Sequence, residues 1–151
     1  MFVTVGDSGT ILTSPDGTSW TERTSGTSDS LYGVTYGNGL FVTVGESGTI
    51  LTSPDGTTWT ERTSMFQRFF GTSENLGGVI YGNGLFVTVG SIGTILTSSD
   101  GNSWTKRTSG TSEDFLGVTY RKGLFVTVGW FGTILTSPDG TTWTERTSGT
   151  S

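Results

Sequence analysis

Short runs of apolar and β-branched residues alternate with clusters of Gly, Asn, Pro and Asp along the whole chain. Leu31-Tyr32-Gly33-Val34-Thr35-Tyr36 is one such run, closed by Gly37-Asn38-Gly39. Leu40-Phe41-Val42-Thr43-Val44 follows, closed by Gly45-Glu46-Ser47-Gly48. Thr49-Ile50-Leu51-Thr52-Ser53 comes next, closed by Pro54-Asp55-Gly56, and Thr58-Trp59-Thr60-Glu61-Arg62-Thr63 ends the series. Strand-favouring residues with turn residues between them predict four strands, labelled A to D. Connections of hairpin length make consecutive strands antiparallel neighbours.

The series recurs. Phe-Val-Thr-Val-Gly starts at Phe2, Phe41, Phe86 and Phe125, at spacings of 39, 45 and 39 residues. The long spacing holds an insertion, Met65-Phe66-Gln67-Arg68-Phe69-Phe70, whose removal restores 39. A period near 40 built from short strands points to a solenoid or a propeller. Tandem four-stranded antiparallel sheets predict an all-β fold, a β-propeller of four ~39-residue blades. One domain over residues 1–151 is expected, with repeats 1–30, 31–75, 76–114 and 115–151. A segments occur at Leu31–Tyr36, Leu76–Tyr81 and Phe115–Tyr120, so fifteen strands are expected and the first blade lacks its A strand. If A is innermost, that blade has an unpaired edge. Closure as a four-bladed ring, association into a larger ring, or a strand from a partner would each cover it. The copies keep exposed Thr, Ser and Glu as well as core positions. The array therefore reads as a recent amplification of one blade or as a designed repeat.

The turn between C and D reads Ser14-Pro15-Asp16-Gly17-Thr18-Ser19-Trp20 and recurs at Ser53–Trp59, Ser98–Trp104 and Ser137–Trp143. It resembles the Asp-box (BNR-type repeat) of sialidase-type and photosystem-assembly-factor-like propellers, with one residue fewer between Asp and Gly than the commoner form. The resemblance covers the whole chain. It implies that Asp and Ser tie down the turn and that Trp20, Trp59, Trp104 and Trp143 pack between sheets. It implies little about function, because such boxes are structural.

Departures from the repeat carry the functional signal. The B–C turn is polar at Asp7-Ser8 and Glu46-Ser47, then becomes Ser91-Ile92 and Trp130-Phe131. The D–A linker gains Met65, Phe66, Arg68, Phe69 and Phe70 in one copy and leads into Phe115-Leu116 in another. B–C and D–A connections leave an antiparallel blade at the same end. These residues therefore collect on one face of the disc, with Phe115 and Leu116 at the channel mouth. Aromatics and Met beside an Arg have the composition of an interface hot spot. The expected activity is binding of a protein partner on this face. The competing expectations are that Phe66, Phe69 and Phe70 plug the gap left by the absent strand, or that the face serves self-association.

Composition narrows the alternatives. Among 151 residues there is no Cys and no His, which removes thiolate and imidazole chemistry. Eight Lys and Arg against thirteen Asp and Glu, net −5, offer no basic patch for nucleic acid or an anionic membrane. No apolar run approaches a membrane span, and Met1 leads straight into a strand pattern with no expected leader. No cofactor or metal site is expected, since each Asp turn offers a single carboxylate. Sialidases with this resemblance need an Arg cluster, a Tyr nucleophile with a Glu, and an Asp acid/base. No inner-strand Arg triad is visible, although Arg68 and Arg121 depart from the repeat. Asp7, Asp29, Glu46, Glu74, Glu113 and Asp114 are scattered across turns, so no enzyme is expected. The alternatives to a protein-binding scaffold are a carbohydrate-binding lectin and a structural propeller in which two chains form a larger ring. Compartment is not decided by the sequence.

Overall fold

The computed structural model describes residues 1–62 and 74–149. Fifteen strands appear among them. They are β1 (Phe2–Val5), β2 (Ile11–Ser14), β3 (Thr21–Arg23), β4 (Leu31–Gly37), β5 (Leu40–Gly45), β6 (Ile50–Ser53), β7 (Thr60–Glu61), β8 (Leu76–Gly82), β9 (Leu85–Gly90), β10 (Ile95–Ser98), β11 (Thr105–Arg107), β12 (Phe115–Arg121), β13 (Leu124–Gly129), β14 (Ile134–Ser137) and β15 (Thr144–Arg146). They form a three-stranded sheet, β1-β2-β3, and three four-stranded meanders, β4 to β7, β8 to β11 and β12 to β15. Every pairing is antiparallel, as tight hairpins require.

The A strands β4, β8 and β12 are innermost and pack in series, β4 on β8 and β8 on β12, while β1 packs on β4. Glycine sets that close approach. A Cβ on Gly33 would lie 3.3 Å from the Cα of Gly78, and one on Gly78 would lie 3.4 Å from the Cα of Gly117. Each A strand carries a register shift just after its first residue. Beyond it, a buried B-strand Thr donates its hydroxyl to the A-strand glycine carbonyl: Thr43 to Gly33 at 2.8 Å, Thr88 to Gly78 at 2.8 Å and Thr127 to Gly117 at 2.9 Å. These bonds satisfy polar groups that the sheet core would otherwise leave unpaired.

The core lies between blades. Val42, Val44 and Ile50 of the second sheet meet Leu76, Phe86 and Trp104 of the third. Val87, Val89 and Ile95 of the third meet Phe115, Phe125 and Leu135 of the fourth. Within each complete blade a Tyr-Phe-Trp series runs outwards, with Tyr81 and Phe86 at 4.7 Å and Phe86 and Trp104 at 6.5 Å between ring centroids. Offset aromatic contacts at these distances are favourable. The outer-strand Arg residues bond across the sheet instead of only guarding its edge. Arg62 Nε donates to Thr52 Oγ1 at 2.9 Å, and Arg23, Arg107 and Arg146 repeat the pattern.

Candidate functional site

The B–C turns are single tight turns with a left-handed residue at the centre. That residue is Ser8 (φ 53°), Ser47 (φ 54°), Ile92 (φ 54°) or Phe131 (φ 53°), each followed by a Gly that is also left-handed. Small polar residues tolerate this region, whereas for a β-branched or bulky side chain it is an outlier. Two of the four turns thus carry large apolar residues where the backbone least favours them.

Hydrogen bonds join the B–C turns to the D–A linkers at one end of the blades. Glu46 N–H donates to the Ser30 carbonyl at 2.8 Å, and Ser91 N–H to the Asn75 carbonyl at 2.8 Å. Asp114 makes two such bonds. Its carboxylate accepts the Ile92 N–H at 2.8 Å, and its carbonyl accepts the Trp130 N–H at 3.0 Å. One linker residue therefore ties the Ile92 turn to the Trp130 turn.

Ile92, Trp130 and Leu116 are exposed, and Phe131 is 78% exposed. The Trp130 and Phe131 rings meet edge-on at 6.3 Å. Phe115 is not part of this surface. At 2% exposure it belongs to the core between the third and fourth blades. The repeat signals this, because Phe115 stands where Leu31 and Leu76 stand and both of those are buried. Met65, Phe66, Arg68, Phe69 and Phe70 lie outside the described residues.

Several carboxylates on this face are used as structural acceptors. Asp29 takes the Thr49 hydroxyl at 2.6 Å, Glu46 takes the Ser30 N–H at 3.3 Å, and Glu74 takes the Thr94 hydroxyl. Lys106 also pairs with Glu74 at 3.8 Å. Among the described residues no group of three His, Cys, Asp or Glu side chains is arranged to hold a metal ion.

The opposite end of each blade carries the C–D turn. Asp16 Oδ1 accepts the N–H groups of Thr18 and Ser19, each at 2.9 Å, while Ser14 Oγ accepts the Gly17 N–H at 2.8 Å. Asp55, Asp100 and Asp139 repeat the arrangement. The two backbone donors, Ser19 first, hold the Asp16 carboxyl well below its ordinary 3.8. Trp59, Trp104 and Trp143 each donate their indole N–H to the turn glycine carbonyl at 3.0 to 3.1 Å.

Radially stacked four-stranded meanders with inner strands in series define a β-propeller. Solved structures agree on the fold. YCF48 bound to D1 peptide superposes with a TM-score of 0.73 at 21% identity, covering 99% of this chain and 50% of that one. YCF48 from Cyanidioschyzon merolae gives 0.71 at 19% identity, covering 96% and 52%. The WD40 β-propeller domain of Doa1 gives 0.61 at 18%, covering 92% and 48%. The chain spans about half the length of these structures. No family model matches the sequence, and no curated protein matches it either.

Proposed function

We propose that this chain is a non-catalytic propeller scaffold of Asp-box blades, amplified or designed, that binds a protein partner through its apolar B–C and D–A loops. The observation that carries the reading is the Asp114 clasp, which ties the Ile92 turn to the Trp130 turn while Ile92, Trp130 and Phe131 stay exposed. Bulky residues in left-handed turn positions weaken the fold locally, so a gain elsewhere is expected to offset them. Exposed aromatics on a rigid frame supply contact area at low ordering cost. YCF48 has been solved with a D1 peptide bound, so a propeller of similar fold does take a peptide. The Met65–Phe70 insertion, in the linker preceding β8, extends the same loop set in the sequence.

The test is selection from a phage-displayed random peptide library on the wild-type chain, followed by binding to the Trp130→Ser/Phe131→Ser variant. Peptides should enrich on the wild type and lose at least tenfold in affinity on the variant, whose circular dichroism stays native. No enrichment, or peptides that bind both proteins equally, would end the reading.

A further inference from the structure

The linker between the third and fourth blades carries two negative charges that its fold does not require. Asp29, Glu74 and Glu113 hold one position in the D–A linkers, and Ser30, Asn75 and Asp114 hold the next. At the first position Asp29 takes the Thr49 hydroxyl and Glu74 takes the Thr94 hydroxyl. The Glu113 carboxylate has no hydrogen-bond or ion-pair partner among the described residues. At the second position the Asp114 carboxylate accepts the Ile92 N–H at 2.8 Å. Asn75 accepts the equivalent Ser47 N–H at 3.0 Å with a neutral amide. The clasp therefore needs the side-chain oxygen of Asp114 and not its charge.

Both surplus charges stand on the linker that joins the two apolar turns. The Glu113 carbonyl accepts the Gly93 N–H at 2.9 Å, and the Asp114 carbonyl accepts the Trp130 N–H at 3.0 Å. Ile92 belongs to a blade with a neighbour on each side and is still 60% exposed. Among the described residues the B–C turns and D–A linkers also hold Asp7, Asp29, Glu46 and Glu74, and no Lys or Arg. Lys106, on β11, pairs with Glu74.

We propose that the segment bound on the loop face is a cationic and apolar peptide. A Lys or Arg side chain meets Glu113 and Asp114, while neighbouring aliphatic or aromatic side chains cover Ile92, Trp130 and Phe131. This assignment rests on the protein-binding reading of the face and names the chemistry of the partner. Opposite charges beside an apolar contact steer encounter and reject wrong partners more than they add affinity. A neutral or acidic segment would cover two carboxylates without pairing them, which costs free energy.

The test uses three labelled synthetic peptides that share their Trp and Leu positions and carry Lys, Ser or Glu at the others, read by fluorescence anisotropy. The Lys peptide should bind tightest and the Glu peptide weakest, with the difference shrinking as salt is raised. Glu113→Gln/Asp114→Asn keeps the clasp, as Asn75 does. It should weaken the Lys peptide about fivefold and leave the Ser peptide unchanged. Glu22→Gln/Glu61→Gln removes as much charge from two outer strands and should change neither. Equal binding of the Lys and Ser peptides would overturn the proposal. So would a Lys peptide that does not bind, a Lys preference that survives Glu113→Gln/Asp114→Asn, or an equal loss in Glu22→Gln/Glu61→Gln. In each of those cases, library peptides that bind the wild type and are lost on Trp130→Ser/Phe131→Ser would keep the face as a binding site and remove only its cationic partner. No enrichment from the library would end both.

Discussion

Ile92 and Phe131 hold φ angles of 54° and 53°, a conformation the chain elsewhere gives to Ser8, Ser47, Asn38, Asn83 and Lys122. L-residues with large side chains lose about 1–2 kcal/mol in this region, and Asn loses less. Ile92→Asn should therefore stabilise the protein by about 1 kcal/mol in urea denaturation while weakening any ligand of the loop face. Unchanged stability would mean that the turn relaxes around the side chain. The Asp residues of the C–D turns make the opposite kind of contribution. Asp16, Asp55 and Asp139 are held below 3.8 chiefly by backbone donors from Ser19, Thr58 and Thr142. A carboxyl depressed in the folded state stabilises fully above its unfolded value, and that support fades as pH falls through the folded value. Melting temperature should hold down to about pH 5 and fall below about pH 4, less steeply in Asp55→Ala. A melting temperature unchanged at about pH 2 would argue against these turns as supports. The turn bonds were legible in Ser-x-Asp-Gly. The left-handed setting of Ile92 was not, because the side chain there contradicts the backbone it occupies.

At the scale of the element, glycine in the inner strands does work that composition alone hides. Gly82 and Gly117 both look like weak points in a strand, since Gly lacks a side chain to pack. In the structure they differ. A Cβ on Gly82 would run into the Tyr120 ring, whereas one on Gly117 would meet nothing within 4 Å. Gly82→Ala should therefore cost about 2 kcal/mol by overpacking, and Gly117→Ala should change stability by less than about 0.5 kcal/mol. Equal effects in thermal melts would mean that the inner strands do not stack as described. The strands themselves were readable because four near copies average out the ambiguity of any short apolar run. Strand order was readable from hairpin lengths. What the repeat could not supply was the use of its polar residues: Thr43, Thr88 and Thr127 look like strand filler but serve as donors to buried carbonyls. Phe115 misled for a related reason. It breaks the repeat in identity and keeps it in position, and position decides burial.

At the scale of the whole molecule the repeat sets one sheet per copy but not how far the ring turns. That angle comes from packing between sheets, where small side-chain differences accumulate over each step. The result is an array whose inner blades are covered on both faces and whose outer blades are covered on one. In such stacked repeats stability is close to a sum of unit and interface terms, so protection should follow coverage. Amide hydrogens of β9 should exchange more slowly than those of β1, since Val87 and Val89 are fully buried while Phe2 is not. If protection is uniform, the sheets open as one cooperative unit, and differences in coverage between blades contribute little to holding the array together.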